Sequence, residues 1–215
     1  NTITVTVLPK PPVPAVNADG SRTFCEGGSV ELGVEHDPAL TYQWLEGNTQ
    51  IAGADSNIYL ATTSGQFQLR TTNANGCSNN SPISQVTVLP VPDQPTINYT
   101  GDTIFCQGGS LTMSVVSKPG NSYEWLLNGE SVISTAESYV AVQSGAYSVR
   151  AENADGCTAL STDTVEVTVH PLPVLPTISQ QGDKTFCEGD ALTLTIDDPG
   201  TDSYQWMNAE GAMAG

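Results

Sequence analysis

Three cysteines, Cys25, Cys106 and Cys187, stand 81 residues apart, each inside the same ten-residue phrase. The phrases are TFCEGGSVEL from Thr23, IFCQGGSLTM from Ile104 and TFCEGDALTL from Thr185. The pairs Tyr42/Trp44, Tyr123/Trp125 and Tyr204/Trp206 keep the step, as do Pro9, Pro90 and Pro171. Farther along, SGQFQLRTTNANGC aligns with SGAYSVRAENADGC at a step of 80, so Cys77 matches Cys157. The missing residue falls between the Trp and the Ser-Gly pair, where a loop absorbs it. Repetition on this scale overrides the one or two domains that 215 residues would suggest. It sets complete repeats at 9–89 and 90–170. Residues 1–8 match only the last strand of a repeat and residues 171–215 only the first half of a third, so the chain reads as cut from a longer protein.

Within a repeat the hydrophobic pattern has period two, as in NTITVTVLP and SQVTVLP, which is the signature of half-buried strands. Helical periodicity is lacking, and no apolar run approaches the ~18 residues of a membrane helix. The first repeat reads as seven short strands. Strand A lies near Ala15 to Phe24, B at Ser29 to Val34 and C at Thr41 to Leu45. Weaker strands surround Ile51 and Tyr59, followed by F at Gln66 to Thr72 and G at Ser84 to Leu89. Ala74-Asn75-Gly76 and Ala154-Asp155-Gly156 suit the turn from F to G, because Asn-Gly and Asp-Gly tolerate positive φ. Seven short strands in about 80 residues have the size of a β-sandwich. Trp44, Trp125 and Trp206 fall on the inward face of strand C and are expected to be structural core.

The order EGGSVEL, then YQW, then SGQFQLRTTNANG resembles an immunoglobulin domain, so the fold class expected is all-β, tandem immunoglobulin-like β-sandwiches in a linear array. In that family a disulfide between strands B and F packs on the Trp. Here the resemblance places Val34 and Leu69, and Val115 and Val149, at those positions, an aliphatic pair in place of the bridge. With P-x-P linkers and N-G-C turns, the chain is similar to Ig-like repeats of very large secreted proteins of Bacteroidota. Such proteins are type IX secretion cargo that act as adhesins or stalks. The resemblance therefore implies an extracellular or cell-surface setting, where disulfides persist. In the family topology Cys25 sits at the A–B turn and Cys77 after the F–G turn, at opposite ends of a sandwich. End-to-end stacking would then bring Cys25 to Cys157 of the next repeat. Pairing inside each repeat, Cys25–Cys77 and Cys106–Cys157, stays open if strand A is rearranged, and so do free thiols.

Composition and motifs narrow the function. A net charge of −17 with six basic residues disfavours nucleic acid and anionic membranes as partners. His36 and His170 have no companion at metal-ligand or triad spacing, the five cysteines do not follow a zinc pattern, and Glu26-Gly27-Gly28 lacks the lysine of a phosphate loop. Asp19, Asp102 and Asp183 near the repeat junctions are the candidates for calcium, without EF-hand spacing. Neither enzymatic activity nor a cofactor is expected. Thr103 and Thr164 stand in Asp-Thr-aliphatic contexts that resemble the O-glycosylation motif of Bacteroidota. Arg150 is expected to face Glu124 across strands C and F.

The function expected is that of a spacer array in an exported surface adhesin or filament. Rigid sandwiches on proline-rich linkers would hold a distal binding region away from the cell. Its partners would be neighbouring repeats, with other surface proteins or glycans beyond them. A carbohydrate-binding or accessory module of a secreted polysaccharide-degrading enzyme is the alternative. Against it, only Tyr99 is left over from the core aromatics to form a sugar platform. The two end segments are expected to order only against other chain.

Overall fold

The computed structural model describes residues 2–197, 200 and 203–213. Among them every regular element is a strand. The chain forms two immunoglobulin-like sandwiches in tandem, followed by two short hairpins. In the first sandwich the strands are β1 (Asn17–Asp19), β2 (Thr23–Cys25), β3 (Val30–Gly33), β4 (Leu40–Glu46), β5 (Thr49–Gln50), β6 (Ile58–Ala61), β7 (Gly65–Asn73), β8 (Ser78–Asn80) and β9 (Ser84–Leu89). One sheet has the order β1-β3-β6 and the other β2-β9-β7-β4-β5, with β8 pairing the far end of β7.

The second sandwich repeats this with β10 (Ile97–Tyr99), β11 (Ile104–Cys106), β12 (Leu111–Val115), β13 (Ser122–Leu127), β14 (Ser131–Ser134), β15 (Ser138–Ala141), β16 (Gly145–Glu152), β17 (Thr158–Leu160) and β18 (Val165–His170). Its sheets run β10-β12-β15 and β11-β18-β16-β13-β14. The registers agree in the A–B and C–F pairs: Asn17 faces Gly33 as Asn98 faces Ser114, and Trp44 faces Leu69 as Trp125 faces Val149.

The single strand A expected at Ala15 to Phe24 is two strands on opposite sheets. Gly20 has φ +115°, a conformation that glycine adopts without steric cost, and it turns the chain from β1 across to β2. Gly101 and Gly182 take φ +112° and +111° at the matching steps. The crossing makes β2 a parallel neighbour of β9, with Cys25 opposite Leu89, and β11 a parallel neighbour of β18, with Cys106 opposite His170.

Trp44 and Trp125 are fully buried. Each indole N–H donates to a backbone carbonyl, of Ser56 at 3.0 Å and of Ala136 at 2.9 Å, so the core holds the ring without stranding its one polar group. Tyr59 and Phe67 continue from Trp44 at ring separations of 5.6 and 5.3 Å, and Tyr139 and Tyr147 from Trp125 at 6.1 and 5.7 Å. On strand B the deepest residues are Leu32 and Met113. The resemblance places Val34 and Val115 there, and Val115 is buried in the second core. Val34 lies past the end of β3 and is only partly buried.

Two sequence expectations at the ends are corrected. Residues 2–8 are not a strand: Ile3, Val5 and Val7 are 80–88% exposed, and no strand among the described residues pairs with them. Trp206 is not core. It is half-buried, and residues 171–213 form only the hairpins β19 (Ile178–Gln181) with β20 (Thr193–Ile196) and β21 (Met207–Asn208) with β22 (Gly211–Ala212). The first pairs Ile178 with Ile196 as β10 and β12 pair Ile97 with Val115, so local A–B pairing survives without the half that would close over Trp206.

Candidate functional site

The chemistry-bearing feature is the joint between the sandwiches, which is built from both sides. On the first, β2 ends at Cys25 beside Leu89, the last residue of β9, and the amide of Glu26 donates to the Leu89 carbonyl at 2.8 Å. Cys25 therefore stands where the chain leaves for the second repeat. On the other side, strand β16 turns through Asn153 to Cys157. The Asn153 carboxamide oxygen accepts from the amides of Asp155 at 3.1 Å and Cys157 at 2.9 Å, which fixes the turn. Its Nδ2 donates to the carbonyl of Pro90 at 2.8 Å, so one side chain clips the linker onto the turn. The two sulfurs meet there. Cys25 and Cys157 are bonded, with S–S 2.00 Å, Cα–Cα 5.6 Å and a sequence separation of 132. Cys157 is fully buried.

The pairing within a repeat does not occur. Cys157 is taken by Cys25, and Cys77, Cys106 and Cys187 are free. The physical reason is the placement of strand A: β2 carries Cys25 to the end where β9 exits, while Cys77 follows β7 at the other end.

Upstream, the half-joint of the first repeat has the same form. Asn73 accepts from the amides of Asn75 and Cys77, both at 3.1 Å, and donates to the Pro9 carbonyl at 2.9 Å. The Cys77 sulfur points at the Leu8 carbonyl, 3.8 Å away. The sequence marks Asn73 and Asn153 only as turn residues; their clip spans 64 and 63 residues and has no local signature. Replacing Asn153 by Ala removes three hydrogen bonds at a partly exposed site. It is expected to destabilise the second repeat by about 1–2 kcal/mol in urea unfolding.

The other expected residues are placed apart from the joint. His36 lies against Tyr42, with ring centres 5.8 Å apart, and His170 stands opposite Cys106 in the ladder. Arg150 donates to Glu124 through Nε at 2.9 Å and also through Nη2, a half-exposed pair worth little. Among the described residues, no group of three or more His, Cys, Asp or Glu could hold a metal ion, and Asp19, Asp102 and Asp183 are exposed. Among the described residues no helix is long and apolar enough to cross a membrane. Thr164 is exposed; Thr103 is partly buried, and its carbonyl accepts from Thr168 at 2.8 Å.

Residues 92–171 match the family model of an Ig-like domain described as CHU_C associated. Among solved structures, the chain is similar to the fibronectin(III)-like modules of Clostridium thermocellum CbhA, at 18% identity over 73% of this chain and 95% of that one, TM-score 0.39. It is also similar to murine CEACAM1b, at 16% identity over 72% and 98%, TM-score 0.33.

The Ig-like segment 92–171 and its neighbour differ at the linker end. In the first sandwich a cleft of about 340 Å³ opens between the linker at Pro12 and Pro14 and the strand ends at Leu40, Tyr42 and Thr71. The Thr71 hydroxyl is buried there with no hydrogen-bond partner among the described residues. The matching residue of the second sandwich is Ala151, and an ion pair of Lys118 with Asp93 lies across the corresponding mouth. An unpaired buried hydroxyl costs stability, so Thr71→Val is expected to be neutral or to raise the stability of the first repeat by up to about 1 kcal/mol in thermal unfolding.

Proposed function

We propose that the chain is a spacer array of an exported surface adhesin or filament, in which covalent joints hold successive sandwiches in a fixed relation. The observation that carries this reading is the Cys25–Cys157 bridge, which ties one repeat to the next rather than stapling either one internally. A bridge within a repeat would stabilise a module and leave the linker free. A bridge between repeats removes the hinge. The asparagine clip to Pro90 and the fixed φ of Pro90, Pro92 and Pro95 act in the same sense. A disulfide suits an oxidising compartment, and the low content of basic residues suits a long chain kept soluble outside the cell. In such a setting Thr164 is the better placed of the two O-glycosylation candidates, because it is exposed.

The test is the spread of distances between the two sandwiches. Spin labels carried on non-natural amino acids at the exposed positions Leu60 and Val140 report it without using cysteine. A narrow distance distribution in the oxidised chain that broadens on reduction, or in Cys25→Ser, supports the rod. Equal widths in the two states overturn it.

The accessory-module reading is favoured by one observation, the cleft with Thr71 on its floor. Chemical-shift changes confined to that cleft on titration with soluble oligosaccharides would support it. A flat response would remove it.

A further inference from the structure

We propose that the cleft of the first sandwich binds a small hydroxylated amine, of the size of one amino-sugar ring, with its ammonium at the mouth beside Asp37 and Glu35 and a hydroxyl donating to Thr71. The inference deepens the reading of this cleft as a ligand site and rests on it, not on the Cys25–Cys157 bridge.

Thr71 forms the floor. It stands opposite Tyr42 in the β4–β7 ladder, and both side chains are buried. Thr71 is 2% exposed and lines the cleft, and its hydroxyl has no hydrogen-bond partner among the described residues. Buried hydroxyls are ordinarily partnered, by protein or by a bound molecule. One wall is the linker, which is held on the sandwich. Asn73 donates to the Pro9 carbonyl at 2.9 Å and Asn79 to that of Pro11 at 3.2 Å, and Pro14 is buried. With Pro12 and Leu40 this gives an apolar lining around one polar floor atom, the composition that small-molecule sites favour. At about 340 Å³ the space is near the lower limit for such sites, which suits a single ring.

The mouth sets the charge. The Tyr42 hydroxyl accepts from the amide of Asp37 at 2.6 Å and donates to the Asp37 carbonyl at 3.1 Å, so one tyrosine side chain spans floor to mouth. The second sandwich has the same frame: the Tyr123 hydroxyl accepts from the amide of Lys118 at 2.9 Å. The repeat step equates Asp37 with Lys118, Pro12 with Asp93, Glu35 with Val116 and Thr71 with Ala151. In the second sandwich a cation of the chain itself therefore crosses the mouth to Asp93, above a floor without a hydroxyl. In the first, a carboxylate replaces that cation and a second carboxylate stands two residues away. Neither has an ion-pair partner among the described residues. One oxygen of Asp37 accepts from the Ala39 amide at 2.9 Å, which leaves the other for a ligand. Charge complementarity places an ammonium where Lys118 brings its own, and the unpaired Thr71 places a donor beneath it. The mouth does not depend on what precedes the sandwich. Its equivalent in the second repeat has a sandwich before it, yet the side chains of Lys118 and Asp93 remain 53% and 77% exposed.

The experiment records amide chemical shifts of the full oxidised chain during titration with glucosamine, below the pKa of its amine. Parallel titrations use glucose, N-acetylglucosamine and cyclohexylamine. The two neutral sugars keep ring and hydroxyls without the charge; cyclohexylamine keeps ring and charge without the hydroxyls. Saturable shifts confined to residues 12–15, 34–42 and 71 are expected for glucosamine. Both neutral sugars should bind about tenfold more weakly. Asp37→Asn keeps an acceptor for Ala39 and removes the charge, and should weaken glucosamine about tenfold. Thr71→Val should weaken glucosamine about fivefold and leave cyclohexylamine unchanged, a split that damage to the fold would not produce. Glu166→Gln, on β18 of the second sandwich, should change nothing and controls for the acidity of the chain as a whole. Shifts scattered over the acidic surface, binding insensitive to Asp37→Asn, or a Thr71→Val effect equal for both amines overturns the proposal. A cleft that takes neutral oligosaccharides as well as glucosamine overturns it too, but keeps the accessory-module reading. A cleft that answers to none of these ligands removes both.

Discussion

Trp44→Ala is expected to destabilise the first sandwich by about 3–5 kcal/mol, and Trp125→Ala the second by as much. Three effects add. The ring is fully buried between two sheets, so truncation leaves a void that strands on both sides cannot easily close. The carbonyl of Ser56, or of Ala136, loses its donor. The aromatic row through Tyr59 to Phe67, or through Tyr139 to Tyr147, loses its first member. For a domain of this size such a loss lowers the melting temperature by roughly 15–30 °C. The two cores are separate clusters, so each variant should melt its own sandwich first, giving two calorimetric transitions in place of one. Trp206→Ala is the internal control. The same Tyr-x-Trp phrase surrounds it, but the ring is half-exposed, and its loss is expected to cost under about 1 kcal/mol. A shift below 1 kcal/mol for Trp44 would remove that residue from the core.

The contrast between Trp44 and Trp206 marks what was legible in the sequence. Period-two patterning and the 81-residue step locate strands B, C, F and G, because those signals are local and occur more than once. The C–F register follows from the inward Trp and Leu, and it sets Glu124 opposite Arg150. Burial is different, since it depends on elements that must arrive from elsewhere in the chain. Trp206 has the phrase without the covering half. Residues 2–8 have the alternation without a neighbour. Gly20, Gly101 and Gly182 keep the 81-residue step, and that recurrence marks the break in strand A. The clip from Asn153 to Pro90 could not be found in this way. A side-chain bond to a proline carbonyl 63 residues upstream leaves no periodic trace, and Asn is expected in such a turn for purely local reasons.

Pulled by its ends, the oxidised chain should reach a full extension shorter by roughly 450 Å than the reduced chain or Cys25→Ser. The bridge joins residues at a sequence separation of 132 and so encloses most of both sandwiches, and force applied outside it passes through the sulfurs. Unfolding either sandwich then releases only the strands outside the bridge, β1 and β2 or β17 and β18, until the bond is cut. Solution stability should follow the same connectivity. When the first repeat unfolds beside a folded second one, the stretch from Cys25 to Leu89 remains a closed loop, held at one end by the bridge and at the other by the linker. The chain-entropy account gives about 4 kcal/mol for closing such a loop, so Cys25→Ser should lower the stability of the first repeat by about that amount. When the second repeat unfolds beside a folded first one, the stretch from Pro90 to Cys157 is a closed loop of similar length, so its stability should fall by a similar amount, with the buried site of Cys157 lost as well. Chemical denaturation of oxidised chain, reduced chain and Cys25→Ser checks this, with reduction expected to reproduce the variant. A bridge that merely decorated the surface would leave the denaturation midpoints unchanged, and equal extension with and without reductant would show that the load does not run through it.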